Sequence, residues 1–376
     1  MKVQVLQEDL NNNLQTAIRF IASRTTLPIL SNFLLETDKT KLKISATNLE
    51  MSISTSIGAK VEEEGNITIP AKYFEEIISN LNKGQIDLIA QNEKMEIVSQ
   101  NSEINLPVTP SNDFPKIPNE IDDKKSFTLV FDELKAALTK ILFAVGADVA
   151  RPVLTGVLFI FESSKLTLVA SDGFRLSKTT VNLSKEISLK PVIIPKNSLL
   201  ELLKIGNNAK EILIESKETE NQLVIKINDV FFTTRLIDGN FPDFGKIIPV
   251  SSTTLVSVDK NDLIKSVKLA SIFAKDVGNL IKMTIGHPER NSDGVEGSLT
   301  VTSEGKAGNE KGSIEAEIKG PSLEVLFNYK FVEDFLNNAE GDSVEMKLTD
   351  AVSPVIFVDS KNENFLHLIM PVRVQS

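Results

Sequence analysis

The chain has 376 residues, 41% of them hydrophobic, no cysteine, and 51 acidic against 41 basic side chains for a net charge of −10. That length predicts two to four domains of about 100–200 residues, and the missing cysteines exclude disulfides, thiolate nucleophiles and cysteine-held metals, which suits a cytoplasmic setting. With no apolar signal core at the N-terminus and no uncharged run near the ~20 residues that span a bilayer, no membrane partner is expected.

The first predicted element is an amphipathic helix on Leu10, Leu14, Ala17, Ile18 and Ile21, with Glu8 and Asp9 at its start and Arg19 and Arg24 towards its end, as the helix dipole favours. A strand follows at Lys41-Leu42-Lys43-Ile44-Ser45, where apolar and polar residues alternate. Ile69-Pro70-Ala71-Lys72 then opens a second helix, because proline at a helix entrance forfeits no hydrogen bond. Glu103-Ile104-Asn105-Leu106 reads as a strand with one buried face, and the prolines of Phe114-Pro115-Lys116-Ile117-Pro118 stop it.

The same order then returns. Leu134, Leu138, Ile141, Leu142 and Val145 predict a helix; Arg151-Pro152-Val153-Leu154 echoes Leu27-Pro28-Ile29-Leu30, and Leu166-Thr167-Leu168 echoes Leu42-Lys43-Ile44, each 124 positions on. Pro195-Lys196 opens the second helix of this copy, and Phe241-Pro242-Asp243-Phe244 leads to its end. A weaker third copy has helices on Leu263, Val267, Ala270 and Ala274 and on Tyr329 to Leu336, with strands at Lys282 to Ile285 and Leu299 to Thr302. Residues 289–312, rich in Gly, Ser, Asn and Glu, read as long solvated loops flanking that last strand. The expected fold is therefore α+β: three modules, residues 1–122, 123–250 and 251–376, each with two helices on antiparallel sheets.

Catalytic groups are scarce. His287 and His367 stand without ligand-spaced partners, Glu62-Glu63-Glu64 precedes Gly65 as a solvated turn would, and no phosphate-binding glycine loop occurs. No metal or cofactor is expected. The residues alone still leave open a repeat-built hydrolase using paired carboxylates, or a scaffold with no nucleic-acid partner.

Arg24-Thr25-Thr26-Leu27-Pro28-Ile29-Leu30, Ala170-Ser171-Asp172-Gly173-Phe174-Arg175-Leu176, Phe241-Pro242-Asp243-Phe244 and Ile369-Met370-Pro371-Val372-Arg373, in that order on a threefold repeat, resemble the bacterial DNA polymerase III β subunits, the sliding clamps. The resemblance covers essentially the whole chain. It implies a non-catalytic homodimeric ring of six modules, helices lining a channel around double-stranded DNA. A clamp loader would open it, and DNA polymerases and repair proteins would dock through short linear peptides. An acidic chain can still encircle DNA if its channel is basic.

By the same resemblance, the channel bases are Arg24, Lys72, Lys135, Lys196, Lys265, Lys268, Lys275 and Lys330. The implied peptide pocket between modules two and three comprises Arg151, Leu154, Ser171, Gly173, Phe174, Arg175, Leu176, Pro242, Lys246, Ile247, Leu368, Ile369, Met370, Pro371 and Arg373. Phe174 stands where the family often has His or another polar residue, and Lys246 where Arg is common. The subunit joint would pair Ile104 and Leu106 with Ile272 and Phe273 of the other chain.

Overall fold

The computed structural model describes residues 1–22, 25–286 and 297–373. The first third runs β1 (Lys2–Leu6), α1 (Gln7–Ala17), β2 (Asn32–Asp38), β3 (Lys41–Thr47), β4 (Met51–Gly58), β5 (Lys60–Glu63), β6 (Asn66–Pro70), α2 (Ala71–Asn80), β7 (Gln85–Gln91), β8 (Lys94–Ser99) and β9 (Ser102–Pro107). The second runs β10 (Ser126–Val130), α3 (Phe131–Thr139), β11 (Gly156–Glu162), β12 (Lys165–Ser171), β13 (Arg175–Asn182), β14 (Val192–Pro195), α4 (Lys196–Ile205), β15 (Glu211–Lys217), β16 (Gln222–Ile227) and β17 (Val230–Arg235). The third runs β18 (Thr254–Asp259), α5 (Lys260–Ala274), β19 (Leu280–Gly286), β20 (Ser298–Gly305), β21 (Gly308–Lys319), β22 (Leu323–Asn328), α6 (Tyr329–Asn338), β23 (Ser343–Leu348), β24 (Val355–Asp359) and β25 (Asn362–Ile369).

Among the described residues, each of the six α-helices follows a strand without an intervening loop. A helix entered this way has orphan N–H groups that must find acceptors. The repeat meets that need the same way three times: Gln7 N donates to the Gly84 carbonyl, Phe131 N to Lys210 and Lys260 N to Asp342, each at 2.8 Å. The apolar stripes are buried as their spacing requires, Leu10, Leu14 and Ala17 on α1 and Leu263, Val267, Ala270 and Ala274 on α5. The helices predicted to reach Ile21 and Val145 are shorter, ending at Ala17 and Thr139 and continuing as 3-10 turns at Ile18–Phe20 and Leu142–Ala144. The tighter turn carries Phe20 into the core, edge-on to Phe232 at 5.8 Å.

The chain compacts into two units, residues 1–132 with 197–236, and residues 133–196 with 237–376. The middle repeat is thus shared between them. In the first unit β4 pairs antiparallel with β17, which fuses strands of the first two repeats into an eight-stranded sheet of order β10-β15-β16-β17-β4-β3-β2-β6; β5-β1-β7-β8-β9 form a second sheet. In the second unit β13 pairs with β25 within a twelve-stranded sheet of order β14-β11-β12-β13-β25-β24-β23-β18-β21-β20-β19-β22. A hydrogen-bonded ladder thus ties each half of the middle repeat to the neighbouring repeat.

The two joints have the same register. Met51, Ser52, Ile53 and Ser54 face Thr234, Thr233, Phe232 and Phe231. Arg175, Leu176, Ser177 and Lys178 face Ile369, Leu368, His367 and Leu366. Among the described residues the three sheets end on β5 and β9, on β10 and β6, and on β14 and β22, and within the last sheet residues 308–315 of β21 pair only with β20, since β21 meets β18 only from Ala316 to Lys319.

The strand expected at Leu299 to Thr302 is β20, running Ser298–Gly305, and the reading of the residues after it, to 312, as solvated loop is corrected. β20 and β21 form a long hairpin in which Leu299 and Val301 are buried, while the polar residues that looked like loop occupy the strands' solvated faces. Residues 289–296, with His287, lie outside the described residues.

Candidate functional site

The predicted bases fall mainly on helices. Lys72 and Lys330 are both the second residue of their helices, α2 and α6, and both are exposed. Asn328 accepts from the Lys330 N–H at 3.1 Å, capping that helix. Lys265, Lys268 and Lys275 lie exposed along α5 and at its C-cap, Lys265 held to Asp262 at 3.0 Å, and Lys135 is half-buried on α3. An exposed pair of that kind is weak, so the Lys265 ammonium stays available to another anion. Arg24 lies outside the described residues. Lys196 departs from the pattern: it is the first residue of α4, half-buried, and its pKa is lowered by burial and then by the nearby Arg175 guanidinium, partly offset by Asp334.

The residues expected to form a peptide pocket gather around the β13·β25 ladder, but on two faces. Leu176 and Leu368 are opposite one another and buried in one apolar cluster with Leu158, Val169 and Ile193. Met370, Phe241, Phe244, Ile248 and Val153 pack half-buried against it. Strand alternation turns the Ile369 side chain to the other face, into the core of the third repeat. Around the cluster stand Phe174, 60% exposed, and Ile247, 43% exposed. Pro242 and Lys246 are also exposed, Lys246 held to Asp243 at 3.1 Å. Leu154 and Pro371 are buried, and Arg373 is exposed near Asp350.

The Ser171–Arg175 turn presents Phe174. Asp172 Oδ1 accepts from the N–H groups of Phe174 and Arg175 at 2.9 and 3.0 Å, and Ser171 Oγ accepts from Gly173 N at 3.1 Å while donating to the Arg175 carbonyl at 2.8 Å. Gly173 sits at φ +92°, and a Cβ there would meet the Arg151 guanidinium at 2.6 Å. Only glycine meets both conditions. Met370 N donates to the Phe174 carbonyl at 2.9 Å, tying the turn to the C-terminal segment.

Arg175 is largely buried and bonded on all three of its nitrogens. Its Nε donates to Asp172 at 3.0 Å, Nη1 to Asp334 at 2.5 Å and Nη2 to the Phe143 carbonyl at 2.7 Å, and its plane lies 4.5 Å over Phe331. With its side chain 11% exposed, the guanidinium is committed to holding β13 against α6. Beside it, fully buried His367 meets Ser177 Oγ through Nδ1 at 2.7 Å and stacks on Phe335 at 5.6 Å. Burial first, and Arg175 second, push its pKa down to about 3, so the ring is neutral at pH 7.

Sequence reasoning missed Asp334, Val153, Phe244 and Ile248 here. Phe244 and Phe241 carried a usable signal, a Phe-Pro-Asp-Phe string too aromatic for an idle linker. Of the predicted joint residues, Ile104 and Leu106 are half-buried on β9; Ile272 is 59% exposed on α5, and the Phe273 ring would lie 3.1 Å from a Cβ at Gly308. Among the described residues no group of three or more acidic or histidine side chains is placed to hold a metal, and no helix is long and apolar enough to cross a membrane.

The repeat order, the matched joint registers and the free edges define a class, a modular antiparallel assembly. Comparison with known proteins makes it specific. Residues 1–118, 128–243 and 245–373 match in turn the N-terminal, central and C-terminal domains of the DNA polymerase III beta subunit. The beta sliding clamp of Bacillus subtilis is 29% identical over 99% of this chain and 100% of its own length, and that of Chlamydia muridarum 28% identical over 100% and 99%. The crystal structure of the Bacillus subtilis clamp superposes with a TM-score of 0.92 at 28% identity, covering 100% of both chains. This chain belongs to the DNA polymerase III beta subunit family, the beta sliding clamps, which are non-catalytic subunits of the polymerase.

Proposed function

We propose that two copies of this chain join head to tail, first module of one to third module of the other, into a six-module ring that encloses double-stranded DNA and tethers DNA polymerases and repair proteins in the cytoplasm. One observation carries the reading. Both internal joints lay a module's last strand, β17 or β25, on the fourth strand of the preceding module, β4 or β13, and the strands left over in this scheme are β9 and β21. Pairing them between copies repeats the internal joint at the one place in the three-module pattern where it is missing, and so closes the ring. Ile104, Leu106, Ile272 and Phe273 then meet at the joint, and the modules divide at residues 1–122, 123–250 and 251–376.

Arg24, Lys72, Lys135, Lys265, Lys268, Lys275 and Lys330 serve as channel bases, giving weak, salt-dependent attraction to phosphates that permits sliding. Lys196, half-buried beside Arg175, contributes less. The cluster of Leu176, Leu368 and Met370, rimmed by Leu154, Phe174, Pro242 and Ile247, accepts short linear peptides with Leu or Phe anchors, and Arg151, Lys246 and Arg373 meet their acidic flanks. Ser171, Gly173 and Pro371 shape the backbone around it. A clamp loader opens one joint, and tethering raises the polymerase's local concentration.

The test is retention. Loaded protein should stay on closed circular DNA and run off the same DNA once it is cut, and retention on both alike, or a monomer in solution, refutes the ring. For the pocket, Met370→Ala should weaken binding of a labelled Leu/Phe peptide in anisotropy about tenfold, the effect of losing one well-packed anchor contact, while leaving dimer mass unchanged. Equal peptide affinity would refute the pocket.

A further inference from the structure

The hairpins fix which residues of the three repeats correspond. Thr47 pairs with Ser52, Ser171 with Leu176 and Glu304 with Asn309, so Ile53, Ser177 and Glu310 occupy one equivalent inward position. At the first joint Ile53 is buried opposite Phe232; at the second Ser177 bonds to His367. The third repeat puts a carboxyl there.

Glu310 turns inward beside Ser303, which bonds to the Ala270 carbonyl of α5. Glu310 Oε2 and Ser266 Oγ, both buried, have no hydrogen-bond partner, and both residues flank Gly312, where a Cβ would lie 2.7 Å from Glu310 Oε1 and 3.0 Å from Ser266 Oγ. They line a groove of about 430 Å³ between α5 and the free edge of β21, with Leu269 and Ile314 as its apolar members. Burial already raises the Glu310 pKa.

Applying the internal register to the free edges sets Glu103 opposite Lys311, Ile104 opposite Glu310 and Leu106 opposite Gly308, because β9 aligns with β17 through their matching hairpins. From this, and resting on the head-to-tail reading above, we propose that Glu310 makes the joint between copies the weakest of the three, by burying a carboxyl against Ile104 of the second copy, and that protonating it tightens the ring.

The groups facing Glu310 leave its Oε2 without a donor. On α5, Lys265 is exposed and held to Asp262 at 3.0 Å, not to Glu310; β20 presents Ser303; on β21, Lys311 and Glu315 both point to the other face; β9 brings Ile104 and Leu106. A carboxylate losing water without gaining a donor has a higher pKa in the dimer than in the monomer. Association therefore takes up protons, and the dimer strengthens as pH falls.

Sedimentation of the full chain at about pH 8 and about pH 5.5 tests this. The wild type should dimerise more tightly at the lower pH. Glu310→Gln, which keeps shape and removes charge, should dimerise about tenfold more tightly at the higher pH and lose most of the pH response. Lys311→Glu should weaken the dimer, and Glu103→Lys in the same chain should restore it. A dimer indifferent to Glu310→Gln overturns the proposal while leaving the head-to-tail reading intact; failure of the charge exchange overturns the register and with it the placement of Glu310. A monomer under every condition overturns both.

Discussion

The two internal joints share a ladder and differ in almost everything the ladder carries. At β4·β17 the inward pair is Ile53 and Phe232, Phe20 packs edge-on, and Thr234 Oγ1 donates to Ser198 Oγ at 2.7 Å. At β13·β25 the inward pair is Ser177 and His367, and Arg175 ties β13 to Asp334 and to the Phe143 carbonyl. The backbone register thus tolerates an apolar or a polar filling. The polar filling has a consequence for function: alternation on β25 sends His367 and Ile369 inward and leaves Leu366, Leu368 and Met370 for the apolar cluster on the other face. At the second joint, one face is tied by charge and hydrogen bonds while the other carries the candidate docking residues.

If that contrast is real, removing the charged tie at each joint should have unequal effects, and the largest belongs to Arg175. Arg175→Ala removes the donor from Asp172 and the Phe143 carbonyl and leaves Asp334, 39% exposed, to be solvated by water, a loss of about 2–3 kcal/mol. Urea unfolding should show it as a lower midpoint with an unchanged slope. Arg175→Lys should rescue little, since an ammonium cannot reach Asp172, Asp334 and a carbonyl at once.

Acid should loosen the second joint and spare the first. His367 is folded in the neutral form with a pKa of about 3, below its ordinary 6.5. The unfolded chain binds a proton there between those values and the folded chain does not, so its contribution is complete above about pH 6.5 and declines as pH falls towards 3. At pH 5 the loss is about 2 kcal/mol, from 1.36 kcal/mol per pH unit over the upper part of that window. His367→Phe should flatten the stability profile between pH 7 and 5. An unchanged profile would mean that the ring is protonated in the folded protein.

Much of this architecture was legible in the chain and its chemistry was not, for a physical reason. Helix faces such as Leu263, Val267, Ala270 and Ala274 write burial into local spacing, and the 124-residue echo aligned the strands that later share a register. Arg175 and Asp334 are 159 positions apart and Ser177 and His367 are 190 apart, so only the β13·β25 ladder brings them together. That is why neither the Arg175–Asp334 pair nor the Ser177–His367 contact could be read from local spacing. The β20–β21 hairpin was hidden by its solvated face, whose Thr, Ser, Glu and Gly residues share their composition with loops.

The smallest effect belongs to the charged tie of the first joint. Arg19 Nε lies 3.3 Å from Glu201 Oε2, the arginine side chain is 32% exposed, and Lys204 already reaches the other carboxylate oxygen at 2.7 Å. Arg19→Ala therefore leaves Glu201 with a counter-ion and water, and the β4·β17 ladder and the Phe20–Phe232 packing keep the strands together. A double-mutant cycle of Arg19→Ala with Glu201→Ala should give a coupling of about 1 kcal/mol or less. A coupling as large as the Arg175 effect would mean that both joints depend on charge, and the distinction between an apolar seam and a polar one would fall.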